Sequence, residues 1–197
     1  MAAVRSHRRQ PRPAPALIDG HAQFRAWPSR PALAQRITTS TTRPKPYLLI
    51  DVDGVLNPSI SNRQAERAGF VTKRTFDSAG WRYRVFLHRQ HGAWLSAMSD
   101  RFELAWATTW EGIADREFGP ILGLPSLPVA SLNLRTHYSK VPGILDFVGD
   151  RPFAWLDDCE ALALVAVPNL VVHVDDRVGL TLRNLAAART WAKRLPR

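Results

Sequence analysis

The sequence predicts an α/β protein: a three-layer αβα sandwich around a mainly parallel sheet, with a small β-hairpin flap and no large inserted cap. Three observations carry that expectation. Short apolar runs at 47–50, 102–107, 153–156 and 170–174 alternate with segments whose apolar residues recur at helical spacing, the order that builds a parallel sheet covered on both faces. The first and third runs end abruptly in aspartates, Asp51 and Asp53 after one and Asp157 and Asp158 after the other; open α/β sheets present ligand-binding groups at the carboxyl ends of their strands. Between the first two runs, residues 70–75 and 83–88 are β-rich or alternating and flank Asp77-Ser78-Ala79-Gly80, which suits a hairpin.

Taken in order, residues 1–46 are rich in Arg, Pro, Ala, Ser and Thr and hold no period. They read as a disordered basic tail, because such a stretch cannot bury enough surface to offset its ordering entropy. The folded domain spans 47–197. Its first strand, from Tyr47, leads through Asp51 and Asp53 into a turn at Gly54, and the polar stretch 57–69 reads as a loop. After the hairpin, 92–100 reads as a short helix through Trp94, Leu95 and Met98, followed by the strand 102–107. Residues 110–118 read as a helix halted by Gly119-Pro120, and the Pro-rich 124–128 precedes a short strand at 129–132. Tyr138, Val141, Ile144, Leu145 and Val148 recur at spacings of three and four, predicting a helix with one buried face in which Pro142 is tolerated in the first turn. The strand 153–156, a short apolar helix at 160–166, the strand 170–174 and a last helix over 181–194 complete the domain.

The 197 residues, 45% of them apolar, suffice for one core and leave little room for a second. The formal charge of +10 is unevenly spread. Residues 1–45 hold nine Lys/Arg and one acid, Asp19, whereas the remainder holds 18 Lys/Arg and 16 Asp/Glu. The basicity therefore belongs to the tail, which could touch an anionic polymer or simply be solvated, and whole-chain charge is weak evidence for nucleic-acid binding by the folded part. A single cysteine, Cys159, excludes an intrachain disulfide and a cysteine-based metal cluster. No apolar run approaches the ~20 residues that cross a bilayer, and the Arg- and Pro-rich start lacks the apolar segment of a secretory signal. The expectation is a cytoplasmic protein with no membrane partner; the oligomeric state is not legible.

Five kinds of residue could do chemistry. Asp51 and Asp53 would share a face if their strand continued, and the turn at Gly54 could aim both at one ligand. Thr108 and Thr109 follow the strand 102–107, where a hydroxyl can meet a ligand, although β-branched residues also end strands for no such reason. Lys140 stands at a helix start, where its charge opposes the helix dipole; an anionic site would account for it. Asp157 and Asp158 repel one another unless a cation screens them. Mg²⁺ prefers hard oxygen ligands, commonly one or two carboxylates completed by water and phosphate, which suits Asp51, the carbonyl of Asp53 and one of this pair; a helix N-cap is the competing role. Along the flap, Lys73, Arg74, Arg82, Arg84 and Arg89 against Asp77 form a basic lip that could take extra phosphates or a nucleic-acid end, with Trp81 or Trp110 stacking on a base. His88 and His91 lack a third ligand and read as packed side chains. The acids beside Cys159 disfavour its thiolate and with it a nucleophilic role. Asp175 and Asp176 could rim the site or cap the last helix.

The pattern Asp51-Val52-Asp53-Gly54-Val55-Leu56, with Ala107-Thr108-Thr109-Trp110, Lys140 and Asp157-Asp158 following in that order, resembles the motif set of the haloacid dehalogenase superfamily over residues 47–195. Trp106 to Glu111, Arg151 to Asp158 and Val178-Gly179-Leu180-Thr181 look similar to a small, nearly capless group of that superfamily associated with RNA-repair proteins. The resemblance implies a Rossmann-like catalytic domain and a Mg²⁺-dependent phosphohydrolase acting on a phosphate monoester, such as a nucleotide or RNA end. Asp51 would be the nucleophile that forms an aspartyl-phosphate and Asp53 the general acid and base, whose presence favours phosphate over carbon–halogen chemistry. Thr108, chosen over Thr109, would bind the phosphoryl group; Lys140 would neutralise it; Asp158 would ligate the metal with Asp157 in support. The alternative is a scaffold of the same fold without turnover, binding nucleic acid through the basic tail.

Overall fold

The computed structural model describes residues 44–132, 139–159 and 168–196. Four strands form the main sheet: β1 (Tyr47–Ile50), β4 (Glu103–Trp106), β5 (Phe153–Asp157) and β6 (Leu170–His173). They lie in the order β4-β1-β5-β6, and every pairing is parallel. β1 is thus flanked on both sides, with Leu49 level with Ala105 on one neighbour and Trp155 on the other. Strands buried on both faces need apolar residues at every position, and β1 and β5 meet that demand: Leu48, Leu49, Ile50, Phe153, Ala154, Trp155 and Leu156 are all fully buried.

Alternation along the strands divides the core in two. Leu48, Ile50, Trp106, Leu156 and Val172 pack on one face with Leu95 of α2 (Arg89–Ser96) and Leu185 and Ala188 of α5 (Leu182–Ala192). Leu49, Ala105, Trp155 and Val171 pack on the other with Val141, Ile144 and Val148 of α4 (Val141–Val148). Helices on both faces of a parallel sheet make this a Rossmann-like α/β arrangement. Each large apolar side chain so buried contributes ~1.5–3 kcal/mol.

β2 (Val71–Phe76) and β3 (Arg82–Leu87) form the expected antiparallel hairpin. Its turn is held by Asp77, whose Oδ1 accepts from the backbone N–H groups of Ala79 and Trp81. α2 begins three residues before the expected start, because the imidazole of His88 caps it by accepting from the Gln90 N–H. Gly92 of α2 lies so close to α3 (Gly119–Leu122) that a Cβ there would stand 1.8 Å from the Leu122 carbonyl oxygen.

Four expectations need correction. The stretch 57–69 is not all loop: α1 (Asn62–Arg67) opens with a capping box in which Ser61 and Gln64 satisfy one another's backbone N–H groups. The helix expected over 110–118 is a π-helical turn, Ala114–Phe118, and Gly119-Pro120 does not halt it. Helical structure continues as α3, with Pro120 in the first turn, where its missing N–H costs nothing. The strand expected at 129–132 shrinks to one parallel bridge between Val129 and Trp106, since β4 ends at Trp106 and the Thr108 carbonyl, the next partner a ladder would need, accepts from the Glu111 N–H of the following turn. The last helix is capped by Thr181 with Asn184, while Asp175 accepts from the Arg177 N–H of its own turn. Residues 1–43 of the tail, Tyr138 and the helix expected at 160–166 lie outside the described residues.

Candidate active site

Strand parity decides which acids meet. Leu49 and Trp155 face α4, so the residues two further along, Asp51 and Asp157, arrive on the same side, at the carboxyl ends of the adjacent strands β1 and β5. Both are buried. Lys140 reaches them from the start of α4, where it occupies the N-cap position without making a capping bond. Ser139 accepts from the Val141 N–H at 3.1 Å instead, which leaves the lysine side chain to turn inward. Its Nζ donates to Asp51 Oδ2 at 2.5 Å and to Asp157 Oδ2 at 2.6 Å, and it lies 5.9 Å from the centre of the Trp155 ring.

The second oxygen of each acid is also engaged: Asp51 Oδ1 accepts from the Val52 N–H and Asp157 Oδ1 from the Cys159 N–H. Burial pushes the Asp51 carboxyl up to about 7 against the pull of Lys140, with Asp157 adding to the rise. Burial also works to strip Lys140 of its proton, but Asp51 and Asp157 outweigh it and hold the ammonium above its ordinary value. Neighbouring Cys159 is driven the unreactive way: partial burial, then Asp158 and Asp157, raise its thiol to about 11.

Asp158 completes a group of three. Carboxylate oxygens of Asp51, Asp157 and Asp158 all lie within 4.8 Å of one another. Such all-oxygen donors at the mouth of a parallel sheet fit a hard divalent cation such as Mg²⁺. The β1 turn is shaped to this acid. Gly54 has φ of +72°, and a Cβ there would stand 2.2 Å from Asp158 Oδ2, so the side chain lies directly over glycine backbone. Asp53 is not in this carboxylate group. β1 ends at Ile50, three backbone N–H groups, those of Val55, Leu56 and Asn57, converge on the Val52 carbonyl, and the chain turns before Asp53 can follow Asp51 along one strand face.

Asp53 is instead exposed, accepting from Asn57 Nδ2 at 2.8 Å and from Trp110 Nε1 at 2.9 Å. Asn57 in turn accepts from the Phe86 N–H on β3, tying this acid's loop to the hairpin. Thr108 begins where the β1–β4 pairing ends, one residue past the Ala107 N–H that donates to Ile50. It is fully buried, and its Oγ1 accepts from the Trp110 N–H at 3.4 Å; Thr109 is exposed. His88 and His91 are packed as expected, with His91 between Phe70 and Trp94.

Sequence reasoning missed two residues here. Nothing local marks Asn57 as the link between Asp53 and the hairpin. Trp110 stood out only as a stacking surface, whereas its indole N–H is committed to Asp53. No family model matches the chain, and no curated protein matches it as a relative.

Proposed function

We propose that this chain is a Mg²⁺-dependent phosphohydrolase of the haloacid dehalogenase type, acting on a phosphate monoester through an aspartyl-phosphate on Asp51. One observation carries the reading: three carboxylates within ligand distance of one another, with a lysine bonded to two of them, at the carboxyl ends of adjacent parallel strands. A structural salt bridge does not account for the third acid, since Asp158 adds negative charge to a cluster that already contains two acids and one base.

The steps follow from the residues. Lys140 pulls Asp51 toward the ionised form that a nucleophile requires, against the opposing effect of burial. Asp51 Oδ attacks phosphorus in line and the ester oxygen departs, taking a proton from Asp53. Asp53 then removes a proton from the water that attacks the aspartyl-phosphate, releasing phosphate and restoring Asp51. Thr108 and Lys140 take up charge on the phosphoryl oxygens as it spreads. Mg²⁺, held by Asp51, Asp158 and the Asp53 carbonyl with Asp157 in support, supplies the remaining positive charge when bound. Among the described residues the chain between β1 and β4 forms only α1, the hairpin and α2, a small covering that suits a bulky ester, including a nucleotide or a nucleic-acid end.

The test is phosphate release by the full chain on a panel of monoesters, nucleotides and 5′- or 3′-phosphorylated oligonucleotides, with Mg²⁺ and with EDTA. Release that needs Mg²⁺ and falls on the order of 10³-fold or more in Asp51→Asn is expected. Release that survives Asp51→Asn, or no release from any ester, overturns the reading and leaves the non-catalytic binding scaffold in its place.

A further inference from the structure

The hairpin has two unlike faces. Val85 and Leu87 are buried on the inner one, where Lys73 pairs with Glu117 at 3.0 Å and Tyr83 meets the Trp110 ring edge-on at 5.3 Å. On the outer face the register sets Arg74 directly opposite Arg84 and Phe76 opposite Arg82, and the Arg82 guanidinium lies 5.7 Å from the centre of the Phe76 ring. Like charges directly opposite one another weaken a strand pair. Among the described residues no carboxylate pairs with Arg74, Arg82 or Arg84, and the nearby Asp77 is spent on its own turn. These three arginines and Tyr83 also line one open cavity.

We propose that this outer face is a phosphate-binding subsite, in which Arg74 and Arg84 grip one phosphate group between them and Arg82, steadied on Phe76, completes the cradle. Planar guanidinium forks match phosphate oxygens in pairs, and an anion between them turns a repulsive cross-strand pair into an attractive one. One strand connects the subsite to the candidate site: Tyr83, between Arg82 and Arg84 on β3, borders the cavity while its ring meets Trp110 on the inner face, and the Trp110 indole donates to Asp53. The subsite would therefore hold a second phosphate of the molecule whose first phosphate reacts. That role in turnover rests on the hydrolase reading; the binding itself does not. The second phosphate can come from a small polyphosphate ester or from a nucleic-acid strand, in which case Trp81, 70% exposed at the hairpin end, is placed to stack on a base.

Binding of tripolyphosphate and of a 5′-phosphorylated thymidine oligonucleotide to the full chain, in EDTA so that nothing turns over, tests the subsite. At least one should bind, more weakly as salt rises, and the double variant Arg74→Gln/Arg84→Gln should weaken it tenfold or more. Oligonucleotide binding that is tighter than tripolyphosphate binding and falls in Trp81→Ala assigns a strand; tripolyphosphate binding at least as tight, with oligonucleotide binding unmoved by Trp81→Ala, assigns a small polyphosphate. Thermal unfolding separates binding from damage: the double variant should melt no lower than the parent without ligand, and ligand should raise the melting point of the parent only. Binding of neither probe, or binding unchanged in the double variant, overturns the proposal. Loss of monoester turnover with this binding intact would instead count against the hydrolase alone.

Discussion

The two charged regions of this domain are built on opposite terms. At the carboxyl end of the sheet, Asp51 and Asp157 are removed from water and Lys140 stands between them. Charges of both signs had to arrive together, because an ion taken into low dielectric without a partner costs several kcal/mol. On the outer face of the hairpin, charges of a single sign stand side by side in solvent, where water and salt screen their repulsion. The first region balances part of its charge internally, with two buried acids sharing one ammonium, and each of those two acids is fixed by hydrogen bonds at both of its oxygens. The second carries an uncompensated charge that an outside anion would complete.

The sharpest way to break this contrast is to remove the compensation. Lys140→Met keeps the side chain's length but leaves two buried carboxylates facing one another, and should cost ~3–5 kcal/mol of stability. The loss should be larger at pH 8 than at pH 5, where the acids can take up protons, and urea unfolding at the two pH values measures it. An equal loss at both would mean that the acids are not held ionised by the lysine. The outer face should answer differently, since removing its arginines is not expected to destabilise the fold.

A buried titratable group that pairs with no acid among the described residues sharpens the rule. His91, at the root of the hairpin, is buried, its Nδ1 has no hydrogen-bond partner among the described residues, and burial, with His88 adding to it, lowers its pKa from 6.5 to about 4. The folded protein therefore disfavours the protonated ring. Stability from this group is complete above pH 6.5 and drains away as pH falls from 6.5 through 4, by at most ~3 kcal/mol. His91→Phe should flatten that part of the unfolding-versus-pH curve; an unchanged slope would place the titration elsewhere.

The smallest effect belongs to the residue that joins the two regions. Trp110→Phe retains an aromatic ring against Tyr83 and Phe118 but loses the N–H that holds Asp53. Stability should change by ~1 kcal/mol. On the proposed hydrolase reading, turnover of a cleaved monoester should drop about tenfold in kcat with KM little altered, the mark of a residue that positions Asp53 for proton transfer. An unaltered kcat would show that Asn57 alone suffices to place Asp53.

The chain announces its sheet clearly because strands buried on both faces can be written only as unbroken apolar runs: Leu48 to Ile50 and Phe153 to Leu156 are such runs. It announces the acids too, since charged residues directly after such runs can lie only at a strand end. α1 was also legible in principle through its Ser61-to-Gln64 capping box, a signal obscured by the polar residues around it. The continuation of helix through Gly119-Pro120 was hidden because those residues break a helix in its middle yet suit the first turn of a new one.

The amino-acid order by itself determined the four parallel strands of the sheet and the two of the hairpin, though it also promised a strand at 129–132 that is only a bridge, and it set acids at 51, 53, 157 and 158, a hydroxyl at 108 and a lysine at 140 at element ends. Only the tertiary structure decided how they are grouped. Asp51 parted from its near neighbour Asp53 and joined Asp157, 106 positions away, because parallel pairing of β1 with β5 aligns residues remote in the chain while the turn at Gly54 diverts residues close in it. Local preference reaches a few residues along the backbone, and which charges must share one desolvated space is settled by strand register and packing.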